Sequence, residues 1–110
     1  MKVANAEQAV VDIRKLRDYC LSTEHRRGQH KASVFAAVLG LTAQDAQALR
    51  QALLTAIRTH EAIPTERDEY GQRYVLDFSM SGPGGQAVVR SCWIVRHDEN
   101  FPRLTSCYVL

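Results

Sequence analysis

Apolar residues in the first sixty positions recur every three or four residues, a spacing typical of amphipathic helices. The pattern predicts three helices, over Glu7 to Leu21, Ala32 to Leu39 and Ala43 to Thr59. Gly40 follows the second apolar run and is expected to end that helix, while Thr42 and Asp45 form the sequence pattern of a capping box for the third. The first half of the chain is therefore predicted to be helical.

The period of the apolar positions changes from 3.6 to 2 near Ala62, which indicates strands. The predicted strands cover Ala62 to Arg67, Gln72 to Met80, Gln86 to Arg96 and Arg103 to Val109, and polar or glycine-rich turns separate them. Helices followed by an antiparallel meander define an α+β fold. We expect one domain over residues 1–110, in which three N-terminal helices pack on one face of a three- or four-stranded antiparallel sheet.

Alternation assigns the two faces of the third strand. The set that contains Val89, Ser91 and Trp93 is nearly all apolar and is expected to face the helices, with Phe78, Leu49 and Leu53 in the same core. The opposite set places Arg90 and Arg96 on the open face. The sequence does not determine the register of the last strand, because either of its alternating sets can share the open face with the two arginines.

Length and composition narrow the class of protein. A chain of 110 residues is the size of one domain, and no apolar run approaches the ~18 residues that cross a bilayer. The first residues lack the apolar stretch of a signal peptide, so we expect a cytoplasmic protein without membrane contact. The three cysteines, Cys20, Cys92 and Cys107, lie far apart in apolar sequence and are expected to be reduced.

The net charge is only +2, but residues 1–60 hold nine Lys/Arg against five Asp/Glu and include a basic cluster before the second helix. His30 is a candidate general acid or base, and Lys31 a candidate phosphate ligand. His25, Arg26 and Arg27 precede them and are candidate substrate-binding residues. The alternatives are a solvated basic loop and a histidine that only caps or packs locally.

The sheet supplies a second set of candidates. Arg90 lies in the middle of its strand, where its guanidinium can bind a phosphate through two parallel hydrogen bonds. The alternative is an ion pair with Asp77 across the hairpin. The other candidates on or near the strands are Tyr108, Thr105, Arg67 and Arg96. No P-loop, dinucleotide fingerprint, nucleophile elbow or zinc motif occurs, and we expect neither cofactor nor metal.

Several segments together resemble a bacterial domain of unknown function that occurs as small stand-alone proteins and as the C-terminal module of polymorphic toxins. The matching segments are Lys15 to Tyr19, Glu24 with His25, Gly28 to Ala32, Arg67 to Gly71, Tyr74 to Phe78, Val89 to Arg96, Phe101 to Leu104 and Cys107 to Leu110. That family usually has a proline shortly after the first histidine of the loop, where this chain has Arg26 and Arg27. The order of elements also resembles the metal-independent ribonuclease toxin fold of barnase, the nuclease colicins and RelE-like toxins.

The resemblance implies a toxin-type ribonuclease in which the 2′-hydroxyl of RNA attacks the adjacent phosphate. His30 would transfer the proton, Lys31 and Arg90 would hold the phosphate, and Tyr108 or Thr105 would position it. An acidic cognate antitoxin or immunity protein would then cover the basic cleft. The alternative is a non-catalytic protein-binding module, the neutralising or adaptor half of such a pair, which the modest net charge favours.

Overall fold

The computed structural model describes residues 1–110 and contains three helical segments before a single sheet. The first, α1, is an α-helical turn over Ile13–Lys15 that continues as a π-helix over Leu16–Cys20. The second, α2, is α-helical over Gln29–Val34 and π-helical over Phe35–Leu39. The third, α3, starts with a 3₁₀ turn over Ala43–Asp45 and runs as an α-helix over Ala46–Thr59. No helix combines the length and the apolar character that crossing a membrane requires.

Both predicted helix boundaries around Gly40 are confirmed. Gly40 ends α2 with a φ of 71°, in the left-handed region that glycine enters without strain. Asp45 Oδ2 accepts the backbone N–H of Thr42 at 2.8 Å, so the capping box forms as the sequence suggests. These local signals fix where α2 stops and α3 begins.

Four strands form one antiparallel sheet in sequence order. They are β1 (Ile63–Asp68), β2 (Gly71–Gly82), β3 (Gly85–Arg96) and β4 (Arg103–Val109). β1 and β4 are the two edges, and both central strands are longer than expected because the hairpin between them closes in only two residues, Pro83 and Gly84. The α+β class and the helix-then-sheet order are confirmed.

The core lies between the helices and one face of the sheet. Trp93 is 1% exposed and Val89 is fully buried, as are Leu49 and Leu53 of α3. Trp93 Nε1 donates to Ser91 Oγ at 2.8 Å, and that hydroxyl donates to the backbone oxygen of Leu76 at 2.8 Å. The buried polar atoms are thereby satisfied, and the predicted face of β3 is confirmed.

The first helix is shorter than the sequence pattern suggests. A 3₁₀ turn over Ala6–Gln8 is followed by an extended segment, in which Val10 forms a parallel bridge to Arg103. The N–H of Val10 donates to the Pro102 oxygen and the N–H of Leu104 donates to the Val10 oxygen, each at 3.0 Å. This long-range pairing replaces the first part of the helix predicted over Glu7 to Leu21, so α1 begins only at Ile13.

A bulge in β4 settles the register of the last strand. Trp93 pairs with Leu104 and Cys92 pairs with Ser106, which leaves Thr105 as the extra residue. Leu104 and Cys107 therefore both enter the core, while Ser106 and Tyr108 lie on the open face. Strict alternation places Leu104 and Tyr108 on one face, and the bulge is the reason that they lie on opposite ones.

Candidate functional site

The open face of the sheet carries a cross-strand row of three side chains, Asp77, Arg90 and Tyr108, directly opposite one another on β2, β3 and β4. Arg90 Nε and Nη2 donate to the two carboxylate oxygens of Asp77 at 2.8 and 2.9 Å. The ion pair between Arg90 and Asp77, which the sequence offers as the alternative to phosphate binding, is thus present. Both side chains remain more than one-third exposed, at 37% for Arg90 and 36% for Asp77.

Ion pairing shapes the electrostatics of this row. The hydrogen bonds and charge of Asp77, and secondarily the hydroxyl of Tyr108, raise the pKa of Arg90. The same hydrogen bonds lower the pKa of Asp77, and burial opposes them. Arg90 is therefore a permanently charged guanidinium that Asp77 holds in one orientation, opposite Tyr108 on β4.

Lys31 reaches the same row from α2. Its ammonium lies 4.4 Å from the centroid of the Tyr108 ring, within the range of a cation–π contact. Lys31 is exposed and forms no ion pair with a carboxylate. We call Lys31, Asp77, Arg90 and Tyr108 the Tyr108 cluster. It brings together three predicted site residues from three different elements.

The basic loop before α2 is held by His25. His25 Nδ1 accepts the backbone N–H groups of Arg27 and Gly28 at 3.2 and 3.3 Å, and its ring packs edge-on against Tyr19 with centroids 4.4 Å apart. Gly28 passes so close to Tyr19 that a Cβ there would lie 2.6 Å from the Tyr19 backbone oxygen. The histidine that caps the backbone locally is therefore His25, and not His30, for which the sequence left that role open.

A groove of about 590 Å³ lies between α1, this loop and the outer edge of β4, and we call it the edge groove. Its lining residues are Asp12, Arg14, Lys15, Asp18, Tyr19, His25, Thr105 and Ser106. Asp12 accepts hydrogen bonds from Arg14, and Asp18 from Arg17, so both carboxylates are neutralised by neighbours. Lys15 lacks a carboxylate partner and donates to the Leu104 oxygen at 3.5 Å.

The remaining predicted site residues are dispersed. His30 is exposed and precedes Lys31 on α2, so its side chain lies about 100° around the helix from that of Lys31. Arg26 and Arg27 are exposed in the loop. The Thr105 hydroxyl donates to the Cys92 oxygen at 3.1 Å. Thr105 thus lies at the bulge and lines the edge groove.

Two arginines lie away from the Tyr108 cluster. Arg67 is exposed on β1, the sheet edge opposite β4. Arg96 is six residues from Arg90 along β3, about 20 Å in an extended strand, and lines a second groove of about 570 Å³ with Tyr70 and His97. The structure therefore separates Arg67 and Arg96 from the residues around Lys31.

The cysteines are free thiols. Cys20 and Cys107 are buried and adjacent, and Cys92 is half-buried on the open face. The neighbouring Cys107 thiol lowers the pKa of Cys20, whereas burial raises the pKa of Cys92. The pKa of Cys107 rises well above its usual value because of the neighbouring Cys20 thiol, and burial adds to the effect.

Sequence reasoning missed the edge groove as a unit. Lys15 and Ser106 are 91 positions apart in the chain, and the β4 bulge decides which way Ser106 points. One usable signal was the spacing of His25 and Gly28, because a side-chain acceptor followed three residues later by glycine suits a helix entrance at which the backbone comes close to a neighbour.

Comparison with known proteins adds a family and a fold. The family model described as a domain of unknown function, DUF6883, matches residues 2–110. No curated protein matches the sequence. A solved chain from a contact-dependent growth inhibition toxin–immunity protein complex of Klebsiella pneumoniae 342 superposes with a TM-score of 0.70 at 18% identity, covering 92% of this chain and 99% of that one. At this identity the likeness establishes a common fold.

Proposed function

The chain belongs to the DUF6883 family, a domain of unknown function, and we propose that it is a toxin that cleaves RNA by metal-independent transesterification. The observation that carries this proposal is the Tyr108 cluster, in which Lys31 and Arg90 bring two cations to one phenol on an open sheet face. The fold shared with a chain of a toxin–immunity complex supports the link to growth-inhibition systems.

The chemistry needs a proton acceptor, a proton donor and positive charge. The 2′-oxygen of RNA attacks the adjacent phosphorus as its proton passes to a base, and the bond from phosphorus to the 5′-oxygen breaks as that oxygen takes a proton. The products are a 2′,3′-cyclic phosphate and a 5′-hydroxyl. The nucleophile belongs to the substrate, so the protein has only to move protons and stabilise the charge.

The described side chains fit these tasks. Arg90 has a fixed guanidinium, and Lys31 has an ammonium without a carboxylate partner; together they are suited to the charge of a pentacoordinate phosphorane. The exposed imidazole of His30, next to Lys31 in sequence, is the candidate for proton transfer. Tyr108 contacts Lys31 through its ring and lies opposite Arg90, whereas the Thr105 hydroxyl already donates to the backbone.

The surrounding loop extends the positive surface. Arg26, Arg27 and Lys15 lack carboxylate partners, whereas Arg14 and Arg17 are ion-paired. Free cations beside the cluster suit an RNA backbone, and the same surface suits an acidic immunity protein. We therefore propose that such a partner neutralises the toxin by covering Lys31 and the basic loop.

The alternative is an immunity or adaptor protein that binds without catalysis. The described neighbour comes from a complex that contains both a toxin and an immunity protein, and the Asp77 carboxylate occupies one side of Arg90. A non-catalytic partner would not damage RNA when it is produced alone. Producing the chain alone in bacteria therefore distinguishes a ribonuclease toxin from a non-catalytic binding protein.

The deciding experiment is induced expression in bacteria with inspection of cellular RNA. We expect growth arrest together with discrete RNA fragments, and we expect Lys31→Ala to relieve both. A wild-type chain that leaves growth and RNA intact, or one that protects cells from a co-expressed toxin, would overturn the proposal in favour of the binding module.

A further inference from the structure

We propose that the edge groove is a subsite for a phosphate flanking the cleaved one in single-stranded RNA, and that His25 binds it through a fixed Nε2–H donor. This inference rests on the proposed function for the identity of the ligand. The geometry of His25 and the groove carries it independently of catalysis.

The tautomer of His25 follows from its contacts. Nδ1 accepts two backbone N–H groups, from Arg27 and Gly28, and so carries no proton. A neutral imidazole has one N–H, which is then on Nε2, at the opposite side of the ring. Nε2 makes no hydrogen bond within the chain, while the ring lines the edge groove. His25 thus presents a donor whose orientation is set by the loop and by Tyr19.

The rest of the groove is arranged for an anion. Lys15 brings a positive charge that no carboxylate neutralises, and Ser106 brings a hydroxyl. The two acidic residues of the lining, Asp12 and Asp18, are each occupied by the guanidinium of a neighbouring arginine. The His25 Nε2–H, the Ser106 hydroxyl and the remaining ammonium hydrogens of Lys15 are therefore the donors that the groove offers to a phosphate.

The position of the groove relative to the Tyr108 cluster fits one RNA strand. Ser106 lies two residues before Tyr108 on the same face of β4, about 7 Å away. A strand whose scissile phosphate contacts Arg90 can place the neighbouring phosphate beside Ser106 and His25. The two sites together would follow the backbone around the edge of the sheet.

Two substitutions separate the roles of the two ring nitrogens. Asparagine at position 25 retains an acceptor near Nδ1 and lacks the Nε2 donor, whereas glutamine retains a donor near Nε2 and lacks the acceptor. The probe is a short single-stranded RNA with 2′-O-methyl groups at every ribose, which binds without being cleaved. We expect His25→Asn to weaken binding roughly tenfold without lowering the melting temperature, the loss expected for one hydrogen bond to a charged group.

His25→Gln should retain most of the affinity and lower the melting temperature, because the backbone N–H groups of the loop lose their acceptor. His60→Asn is the matched control, since His60 is exposed at the end of α3. Binding by His25→Asn equal to that of the wild type would overturn the subsite.

Nitrogen-15 NMR of the histidine rings tests the inference without turnover. We expect the Nε2–H tautomer for His25 at neutral pH, and a shift of its Nε2 signal on titration with inorganic phosphate and with the methylated oligonucleotide. An Nδ1–H tautomer, or no response to either probe, would overturn it and would favour a protein partner in the groove. Absent cleavage with these shifts present would instead refute only the ribonuclease proposal.

Discussion

The ammonium of Lys31 lies 4.4 Å from the centre of the Tyr108 ring, so a helix that ends at Leu39 and a strand that ends at Val109 meet at one phenol. Arg90 lies directly opposite the same residue on the neighbouring strand β3. Tyr108 therefore has one cation against its ring and a second cation opposite it on the sheet, and Asp77 pairs with the second. An anion that enters between the two cations would relieve their repulsion, which is why this cluster is the centre of the proposed site.

Arg90→Ala is expected to cost about 3 kcal/mol of transition-state stabilisation, roughly a 100-fold loss of cleavage rate. The domain should remain folded, because the Arg90–Asp77 pair is more than one-third exposed. Initial rates on a fixed RNA substrate measure the effect. Arg67→Ala is the control, an exposed arginine on the far edge β1. Equal losses in the two variants would mean that general positive charge, and not the cluster, supports activity.

His30→Ala should lower the cleavage rate about 100-fold or more, as expected for the loss of one general acid or base. The pH–rate profile of the variant should also lose the limb that reflects an imidazole. His60→Ala serves as the comparison, because this histidine is exposed at the end of α3 and contacts Phe78. A full-rate His30→Ala protein would remove His30 from the site.

Asp77 should contribute to the acid sensitivity of the fold. Arg90 lowers the pKa of Asp77 in the folded state, whereas the unfolded value is about 3.9. The stabilisation is therefore present above about pH 4 and is lost as the pH falls through the lowered folded pKa. Urea unfolding at a series of pH values should show a shallower loss for Asp77→Asn than for the wild type. Identical acid limbs would show that the pair contributes nothing measurable.

Trp93→Ala should destabilise the domain by about 3 to 5 kcal/mol, because it empties the largest fully buried side chain. Ser91→Ala should cost less, about 1 to 3 kcal/mol, since it leaves the Trp93 N–H and the Leu76 oxygen without their partner. Denaturant unfolding measures both, with Tyr70→Ala as an exposed aromatic control. An unchanged midpoint for Trp93→Ala would contradict the assignment of the core.

Local patterns were sufficient for most of the fold. The alternation around Trp93 identified the buried face of β3, because apolar residues at every second position, among them Val89 and Trp93, can share only one face of a strand. Gly40 and the Thr42–Asp45 pair located a helix end and a helix start from neighbouring residues alone. These features depend on interactions within a few positions, which a sequence displays directly.

Long-range pairing accounts for what the sequence could not provide. Val10 has a helical spacing with its neighbours, yet its bridge to Arg103 keeps it extended. The extra residue Thr105 shifts the face of every later side chain in β4, so the meeting of Tyr108 with Arg90 depended on one bulge. That His25, and not His30, accepts the loop N–H groups depends on the path of the loop backbone, which the residues next to each histidine do not reveal.

The most direct test of the central claim is cleavage by the purified chain of one RNA, and of the same RNA with a single 2′-deoxy substitution at the cut position, both in EDTA. We expect the all-ribose strand to give fragments that end in a 2′,3′-cyclic phosphate. We expect no cut at the substituted position, because the attacking 2′-oxygen is missing there. Cleavage at the deoxy position, 3′-hydroxyl ends or activity that disappears in EDTA would contradict it.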